Sequence, residues 1–339
     1  MRGDWQDTLD ASVESGFGIF MEEPAFICCY RLDGNGGATQ LTADDARAAW
    51  AAGDASLWIH LNRSMEESIA WIRNGAGLDP LVAEAMLAAE TRPRFDEVPG
   101  GIQINLRGIN LNEGAAPEDM VSIRGFSDGR RLVTARLPRL RAVDDIRSAM
   151  ANGRGPKNAV GVLTALADRL TYRIGDLVMQ LDDQVDLLED SPSPNEGELA
   201  NLRRRILELR RYMMPQREAL ARAASGYDTI IDKRAQAQFT EVRERTARVL
   251  EDLDVLRDQT QFIREEIADE RNTRMNRAMY TLSIVTGIFL PLGFLTGLLG
   301  INVGGMPGME NPYAFWIVCI LIVAVAGGVW GLFKKYKWL

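Results

Sequence analysis

The chain has 339 residues, of which 46% are hydrophobic and 25% are charged, an average composition typical of a soluble protein of about two domains. Its 39 basic residues against 47 acidic ones give a net charge of −8, which argues against binding to the phosphate backbone of nucleic acid. The average conceals a division, because no charged residue occurs between Ala278 and Met309 or between Asn311 and Phe333. The apolar excess is therefore concentrated at the C-terminal end.

Residues 1–150 are predicted to form a cytoplasmic α/β domain, because short strand-like runs alternate with helical periodicity. The expected strands are Ala25–Leu32, Leu57–Leu61, Ile102–Asn110, Val121–Asp128 and Arg131–Arg136. The expected helices are Thr42–Ala52, Glu66–Gly75 and Asp79–Ala89. Asp128-Gly129 between the last two strands is typical of a hairpin turn. The first ten residues contain three aspartates and no apolar stretch, so we expect no secretory signal there.

This part of the sequence offers few groups for catalysis. His60 is the single histidine, and without a second histidine or cysteine at metal-binding spacing we favour a structural role over a ligand role. Cys28 and Cys29 lie on a predicted strand, where neighbouring side chains point to opposite faces, so we interpret both as packing residues. No phosphate-binding loop, dinucleotide fingerprint, zinc-protease motif or nucleophile elbow occurs. We therefore expect a protein that is not an enzyme.

Residues 151–279 are predicted to form a helical stalk. Helical periodicity covers Ala159–Leu188 and Leu199–Ala224, and a Ser-Pro-Ser-Pro-Asn segment separates them. The 60 residues between Gly226 and Gly287 contain neither glycine nor proline, so one helix of about 90 Å is expected to run into the membrane. Apolar steps of three and four residues along it indicate packing against partner helices. This seam consists of Phe239, Val242, Thr246, Val249, Leu253, Leu256, Thr260, Ile263 and Ile267.

Acidic residues cluster twice in the stalk. The first cluster is Asp182, Asp183, Asp186, Glu189 and Asp190, and the second is Glu251, Asp252, Asp254, Asp258, Glu265, Glu266, Asp269 and Glu270. The second cluster, from Asp258 to Glu270 above all, is a candidate for gathering cations at the cytoplasmic approach to the membrane. The alternative, which we favour, is a solvated helical face whose carboxylates pair with nearby arginines.

The stretches 280–299 and 313–333 are uncharged and are predicted to be two transmembrane helices, because about 20 residues cross the hydrocarbon core. A pair of buried core helices is the less favoured alternative. The loop 300–312 contains no Lys or Arg, whereas arginines precede the first span and the tail 334–339 holds three lysines. The positive-inside rule then predicts that both termini are cytoplasmic.

Two spans per chain are too few to enclose a water-filled path, so transport requires an oligomer. Gly293, Gly297 and Gly300 fall on one face of the first span, where small residues let neighbouring helices approach closely. Ser283 and Thr286 roughly continue this stripe. The alternative is a pair of lipid-exposed anchor helices.

The loop after the first span begins Gly300-Ile301-Asn302. In a closed ring of subunits the carboxamide of Asn302 would converge on the axis, where it could hold the water around a cation. The alternative is a turn residue at the end of the helix.

These residues resemble the CorA-type divalent metal ion transporters and, within them, the zinc transporter branch called ZntB. The resemblance rests on Gly300-Ile301-Asn302 at the place of a Gly-Met-Asn signature, on the segments 289–297 and 304–308 around it, and on the C-terminal Lys337-Trp338-Leu339. Further matching segments are Trp58–Asn62, Glu90–Arg94 and Tyr212–Arg217. The resemblance covers almost the whole chain.

The resemblance implies an α+β membrane protein of the bacterial inner membrane, a funnel-shaped homopentamer with a pore lined by the first span. It implies that Gly300, Ile301 and Asn302 form the entrance. The implied pore-lining positions are Met279, Leu282, Thr286, Leu290, Gly293 and Gly297, with Met279, Leu282 and Leu290 as apolar constrictions. Met309 and Glu310 stand where the magnesium branch has a more acidic loop, which argues against magnesium selectivity.

The resemblance further implies zinc uptake coupled to protons, with zinc as the transported ion and no cofactor. The pore-lining positions contain no His, Cys or carboxylate, the ligands that zinc prefers in proteins, so we predict no tight metal site. Zinc would pass hydrated, and cadmium, nickel or cobalt could follow it. Two alternatives stay open: a CorA-like magnesium or cobalt channel, and a membrane-anchored scaffold or sensor.

Overall fold

The computed structural model describes residues 23–89, 91–226, 230–301, 308 and 311–335. The chain divides into two compact units, Met1–Gln261 and Phe262–Leu339. Asn302, Met309, Glu310 and Glu90 lie outside the described residues.

The first unit is built on one seven-stranded mixed sheet of order β2-β1-β3-β7-β6-β5-β4. The strands β3 and β7 pair in parallel, and all other neighbours are antiparallel. The strands are β1 (Phe26–Leu32), β2 (Ala38–Gln40), β3 (Leu57–Asn62), β4 (Arg94–Val98), β5 (Gly101–Gly108), β6 (Val121–Ser127) and β7 (Arg131–Arg136).

The five strands predicted from the sequence are confirmed within two residues at each end. The hairpin between β6 and β7 is confirmed too: Gly129 has a φ of +86°, and the Asp128 carboxylate accepts bonds from the backbone N–H groups of Arg130 and Arg131 at 2.9 and 2.7 Å. The strands β2 and β4, which the sequence analysis did not predict, are the two edges of the sheet. Short or charged edge strands carry a weak periodic signal and discourage pairing with other chains.

Helices cover both faces of the sheet. On one face lie α1 (Ala43–Ala52), α2 (Glu66–Ala70) and α3 (Pro80–Leu87), and on the other lie α4 (Arg141–Ala151), α5 (Ala159–Glu189), α6 (Glu196–Ser225) and the first part of α7 (Lys233–Leu299). The predicted helix Glu66–Gly75 ends earlier, at Ala70, and continues as a π-helical turn to Gly75. The helix α4 was not predicted.

Each face of the sheet has its own apolar core. Cys28 belongs to the core under α4–α7, whereas the adjacent Cys29 belongs to the core under α1–α3. Both thiols are 2% exposed, and burial raises the pKa of Cys28 to about 12 and that of Cys29 to about 11. Neither thiol is therefore a nucleophile, because the reactive form is the thiolate. The interpretation of both cysteines as packing residues is confirmed.

The long helix and its apolar seam are confirmed. The helix α7 runs without interruption for 67 residues, through Pro291. The eight seam residues from Phe239 to Ile263 are each at most 5% exposed, and Ile267 is partly buried. Within the first unit, the hydroxyls of Thr171 on α5 and Thr246 on α7 lie 3.2 Å apart. The seam thus packs against helices of its own chain.

The single histidine fills a structural role inside the sheet. His60 is fully buried, and its Nδ1 lies 2.7 Å from the Thr134 hydroxyl. The same hydroxyl accepts a bond from the Trp58 indole at 2.9 Å. Burial lowers the pKa of His60 well below its ordinary value, and the nearby charges of Arg136 and Arg147 act in the same direction.

We expect this burial to make the first unit sensitive to acid. The unfolded chain binds a proton at His60 near pH 6.5, whereas the folded chain does not, so stability falls as the pH drops through 6.5. The slope from this group is about 1.4 kcal/mol per pH unit. Thermal unfolding between pH 7.5 and 5.5 should show a fall in Tm that His60→Gln reduces. An equal fall in Tm with decreasing pH in the wild type and in His60→Gln would contradict a contribution from His60.

Candidate permeation path

The second unit contains the end of α7 and α8 (Ala314–Lys335). Both helices have an apolar window long enough to cross a membrane, and among the described residues no side chain of either window is fully buried. The helices α7 and α8 contain the two predicted spans 280–299 and 313–333, apart from Tyr313 just before α8.

One face of the α7 span packs against α8. A Cβ added to Gly287 would lie 2.7 Å from the ring of Phe333, so the glycine permits the close approach of the two helices. The partly buried residues of the span lie on this side: Ile284, Gly287, Ile288, Pro291, Leu292 and Leu295. Gly287 belongs to no local sequence motif, because its partner Phe333 lies 46 positions further along the chain.

The six positions predicted to line a pore lie on the other side of the span. Successive residues of an α-helix are rotated by about 100° around the helix axis. On this projection the other five pore-lining positions lie within about 60° of Met279 and away from the side that packs against α8. All six are exposed in the chain, with Met279, Leu282 and Leu290 at 61, 66 and 71%. Cβ atoms added to Gly293 and Gly297 would meet nothing within 4 Å. The fold thus brings these positions together as one continuous open stripe, which we call the axial stripe.

Thr286 is the polar member of the axial stripe. Three other hydroxyls of the span bond to a backbone carbonyl four residues earlier: Thr281, Ser283 and Thr296, at 2.9 to 3.0 Å. Such bonds satisfy a hydroxyl inside the helix. Among the described residues, the Thr286 hydroxyl has no hydrogen-bond partner. It is therefore available to a water molecule or a hydrated ion.

The predicted entrance is described only in part. The helix α7 ends at Leu299, and the Gly300 N–H donates to the Thr296 carbonyl at 2.9 Å. Gly300 and Ile301 are both exposed. Asn302 lies outside the described residues, so its role at an entrance stays a prediction.

The basic and acidic residues before the span are distributed around α7. Around the axis of α7, Arg277 is rotated by about 160° from Met279 and Arg274 is rotated by about 140°, so neither arginine lies on the axial stripe. Arg274 also pairs with Glu270 at 2.8 Å. The outward-turned orientation of these two arginines leaves the stripe free of their charge.

The five candidate carboxylates do not converge on one point. On the same helical projection, and within the second unit, Glu265 lies nearest to the axial stripe, whereas Glu266 and Glu270 lie far from it. Asp258 pairs with Arg257 at 2.7 Å, as the solvated-face alternative predicts. Within the described residues, no group of three or more His, Cys, Asp or Glu side chains is placed to hold a metal ion.

The first acidic cluster, on α5, lies close to the second. Burial raises the pKa of Asp182, and the charges of Asp186, Asp183 and Asp252 on α7 add to this effect. One carboxylate of the second cluster is neutralised: Asp254 pairs with Arg210 at 2.5 Å and with Arg257 at 3.2 Å.

Comparison with known proteins places this architecture in a family. The family described as CorA-like Mg2+ transporter protein matches residues 53–335. The chain belongs to the CorA-like transporter family. It is therefore a membrane transporter of divalent cations and not an enzyme, and the metal ion is its cargo rather than a cofactor.

Relatives of two kinds occur within the CorA-like family. The chain is 39% identical over 325 residues to the divalent cation transporter CmaX of Pseudomonas aeruginosa, a match that covers 94% of this chain and 98% of CmaX. It is 34% identical over 314 residues to the zinc transport protein ZntB of Yersinia enterocolitica, a match that covers 91% of this chain and 95% of that ZntB. The solved structure of full-length CmaX superposes with a TM-score of 0.81 at 38% identity, covering 96% of this chain and 100% of CmaX. The expected CorA-type architecture is confirmed.

Proposed function

We propose that the chain forms a homopentamer in the bacterial inner membrane and takes up zinc through a central pore lined by the axial stripe. One observation carries this proposal: the six pore positions share an open face of α7 while the opposite face is packed on α8. A surface that none of the described residues covers is suited to a pore wall in a ring of subunits. The arginines before the first span and the lysines of the tail support cytoplasmic termini.

Zinc passes this pore in hydrated form. The axial stripe offers one hydroxyl, at Thr286, and otherwise apolar side chains and glycines, whereas a dehydrated zinc ion requires thiolate, imidazole or carboxylate ligands. The carboxamide of Asn302 and the carbonyls of Gly300 and Ile301 hold the hydrated ion at the entrance. Because recognition is through water, other divalent ions also pass, in agreement with the general name of CmaX.

The uptake is coupled to protons. Within the spans 280–299 and 313–333 the titratable side chains are Tyr280, Tyr313 and Cys319. None of them is a carboxylate or a histidine, so the proton moves with water or titrates carboxylates near the cytoplasmic mouth. Asp269 and Glu270 are the candidates for this exchange, and Glu270 pairs with Arg274 at 2.8 Å.

Zinc flux into liposomes, with and without an inward proton gradient, tests the proposal. We expect faster zinc entry with the gradient, and a loss of about tenfold or more in Asn302→Ala, since one entrance ligand ring is removed. Asn201→Ala, which alters an exposed asparagine of α6, should keep the wild-type rate. Gradient-independent flux would contradict proton coupling, and unchanged flux in Asn302→Ala would contradict the entrance.

A magnesium or cobalt channel is the second candidate, because the family description names Mg2+. The same liposomes distinguish it: magnesium flux without zinc flux would favour this candidate. Absence of any metal flux would favour a membrane-anchored scaffold.

A further inference from the structure

The strongest unassigned feature is a basic cavity in the first unit, between the loop that joins α4 to α5, the start of α5 and the start of α7. The cavity measures about 250 Å³. Four basic side chains line it, and they come from three different elements: Arg154 and Lys157 from the loop, Arg169 from α5 and Arg234 from α7.

These four side chains lack the partners that most arginines of this chain have. Among the described residues, none of the four makes an ion pair or a side-chain hydrogen bond. By contrast, Arg173, Arg205, Arg210 and Arg245 each bind a carboxylate at 2.5 to 3.1 Å. The chain as a whole has a net charge of −8. Four unpaired cations around one cavity therefore form a local region of opposite charge.

The cavity has a net positive charge. It also contains Asp145 and Asp232, but Asp145 is bound in a bidentate pair by Arg173, at 2.7 to 3.0 Å. The carboxylate of Asp232 caps α7 by accepting the Ala235 N–H at 2.7 Å. The four exposed cations thus line the cavity together with one carboxylate, Asp232, that no cation among the described residues pairs with, which gives a net charge of about +3 before any ligand binds.

The loop that supplies two of the cations is held in place. The Gly155 N–H donates to the Gly36 carbonyl at 2.7 Å, and a Cβ at Gly155 would lie 2.3 Å from Cγ of Met150. Glycine is therefore required for this close approach. Arg154 and Lys157, which flank this anchored segment, are presented from a fixed backbone, which reduces the entropy lost when they bind an anion.

We propose that this cavity binds a small soluble anion that carries a diphosphate group. A phosphate group carries a charge of roughly −1.5 to −2, so two phosphates balance the charge of the cavity, whereas a single carboxylate does not. Arginine forks match phosphate oxygens in bidentate geometry, and lysine adds a point charge. The site is separate from the axial stripe, and the proposal does not depend on which metal ion is transported.

Binding of inorganic pyrophosphate to the full-length protein in detergent tests the proposal. EDTA is present, so that no divalent ion mediates the contact, and both calorimetry and Tm are measured. We expect saturable binding and a rise in Tm, with orthophosphate weaker by about tenfold or more because it satisfies half the charge. The variant with Arg154→Gln and Lys157→Gln should lose at least about tenfold in affinity. Its Tm without ligand should stay unchanged, since neither side chain has a partner to lose.

A matched control separates the site from general charge effects. Arg139→Gln with Arg243→Gln removes the same charge from exposed arginines that pair with Asp144 and Glu244, and it should bind pyrophosphate as the wild type does. Equal affinity in the site variant and the wild type would overturn the proposal, as would a wild type without response. A response only to cardiolipin vesicles would overturn it in favour of a lipid phosphate. Pentamer dissociation in the site variant, without pyrophosphate binding to the wild type, would assign the cavity to a neighbouring subunit.

Discussion

Gly293→Leu is expected to reduce divalent cation flux by about tenfold or more, because it adds a bulky apolar group to the axial stripe. The position accepts the side chain within its own chain, since an added Cβ at Gly293 would meet nothing within 4 Å. The subunit should therefore fold normally. In a ring of subunits the added leucines converge on the axis and narrow the pore at a position where glycine leaves room for the hydrated ion.

Gly328→Leu on α8 is the matched control. Gly328 is also exposed in a span, and an added Cβ there likewise meets nothing within 4 Å, but it lies on the helix that does not line the proposed pore. Metal flux into liposomes at equal protein density measures both variants, and oligomer size is checked for each. Equal loss in both variants would contradict a special role of the axial stripe. Full flux through Gly293→Leu would contradict the pore assignment itself.

The strongest patterns in the sequence led to correct structural predictions. A 60-residue stretch without glycine or proline has few alternatives to a helix, and two long uncharged stretches have few alternatives to membrane spans. The central strands were predictable because both of their faces are buried, which requires a short, mostly apolar run in the sequence. Leu57–Asn62 is an example, since it is buried at each position. The pore-lining positions were implied by the family resemblance, and they share one face of α7 because helical geometry is regular.

Features that depend on distant contacts were not predictable. The edge strand Arg94–Val98 has three charged residues among five, and it is a strand because its backbone pairs with β5. The close approach of Gly287 to Phe333 produces no periodic sequence pattern in either span. The basic cavity combines Arg154 and Arg234, which lie 80 positions apart in the sequence. Only the fold brings these groups together, since none of them belongs to a local motif.

Phe239→Ala is expected to produce the largest loss of stability among single substitutions considered for α7. Phe239 is fully buried, and its ring contacts that of Phe95 on β4 edge to face, with centroids 6.2 Å apart. Replacing a buried phenylalanine by alanine costs about 3–5 kcal/mol, through lost burial and the cavity left behind. For a unit of this size the expected fall in Tm is roughly 10 °C.

Phe262→Ala provides the same chemical change on the same helix, at a ring that is 61% exposed. It should alter the free energy of unfolding by less than about 0.5 kcal/mol. Tryptophan fluorescence follows the transition, because Trp50, Trp58 and Trp71 are all buried in the first unit. A large loss in Phe239→Ala alone would establish that α7 is part of the core of the α/β unit, so that the helix that enters the membrane is also anchored in the sheet. Similar Tm values for the two variants would contradict the packing of α7 on β4.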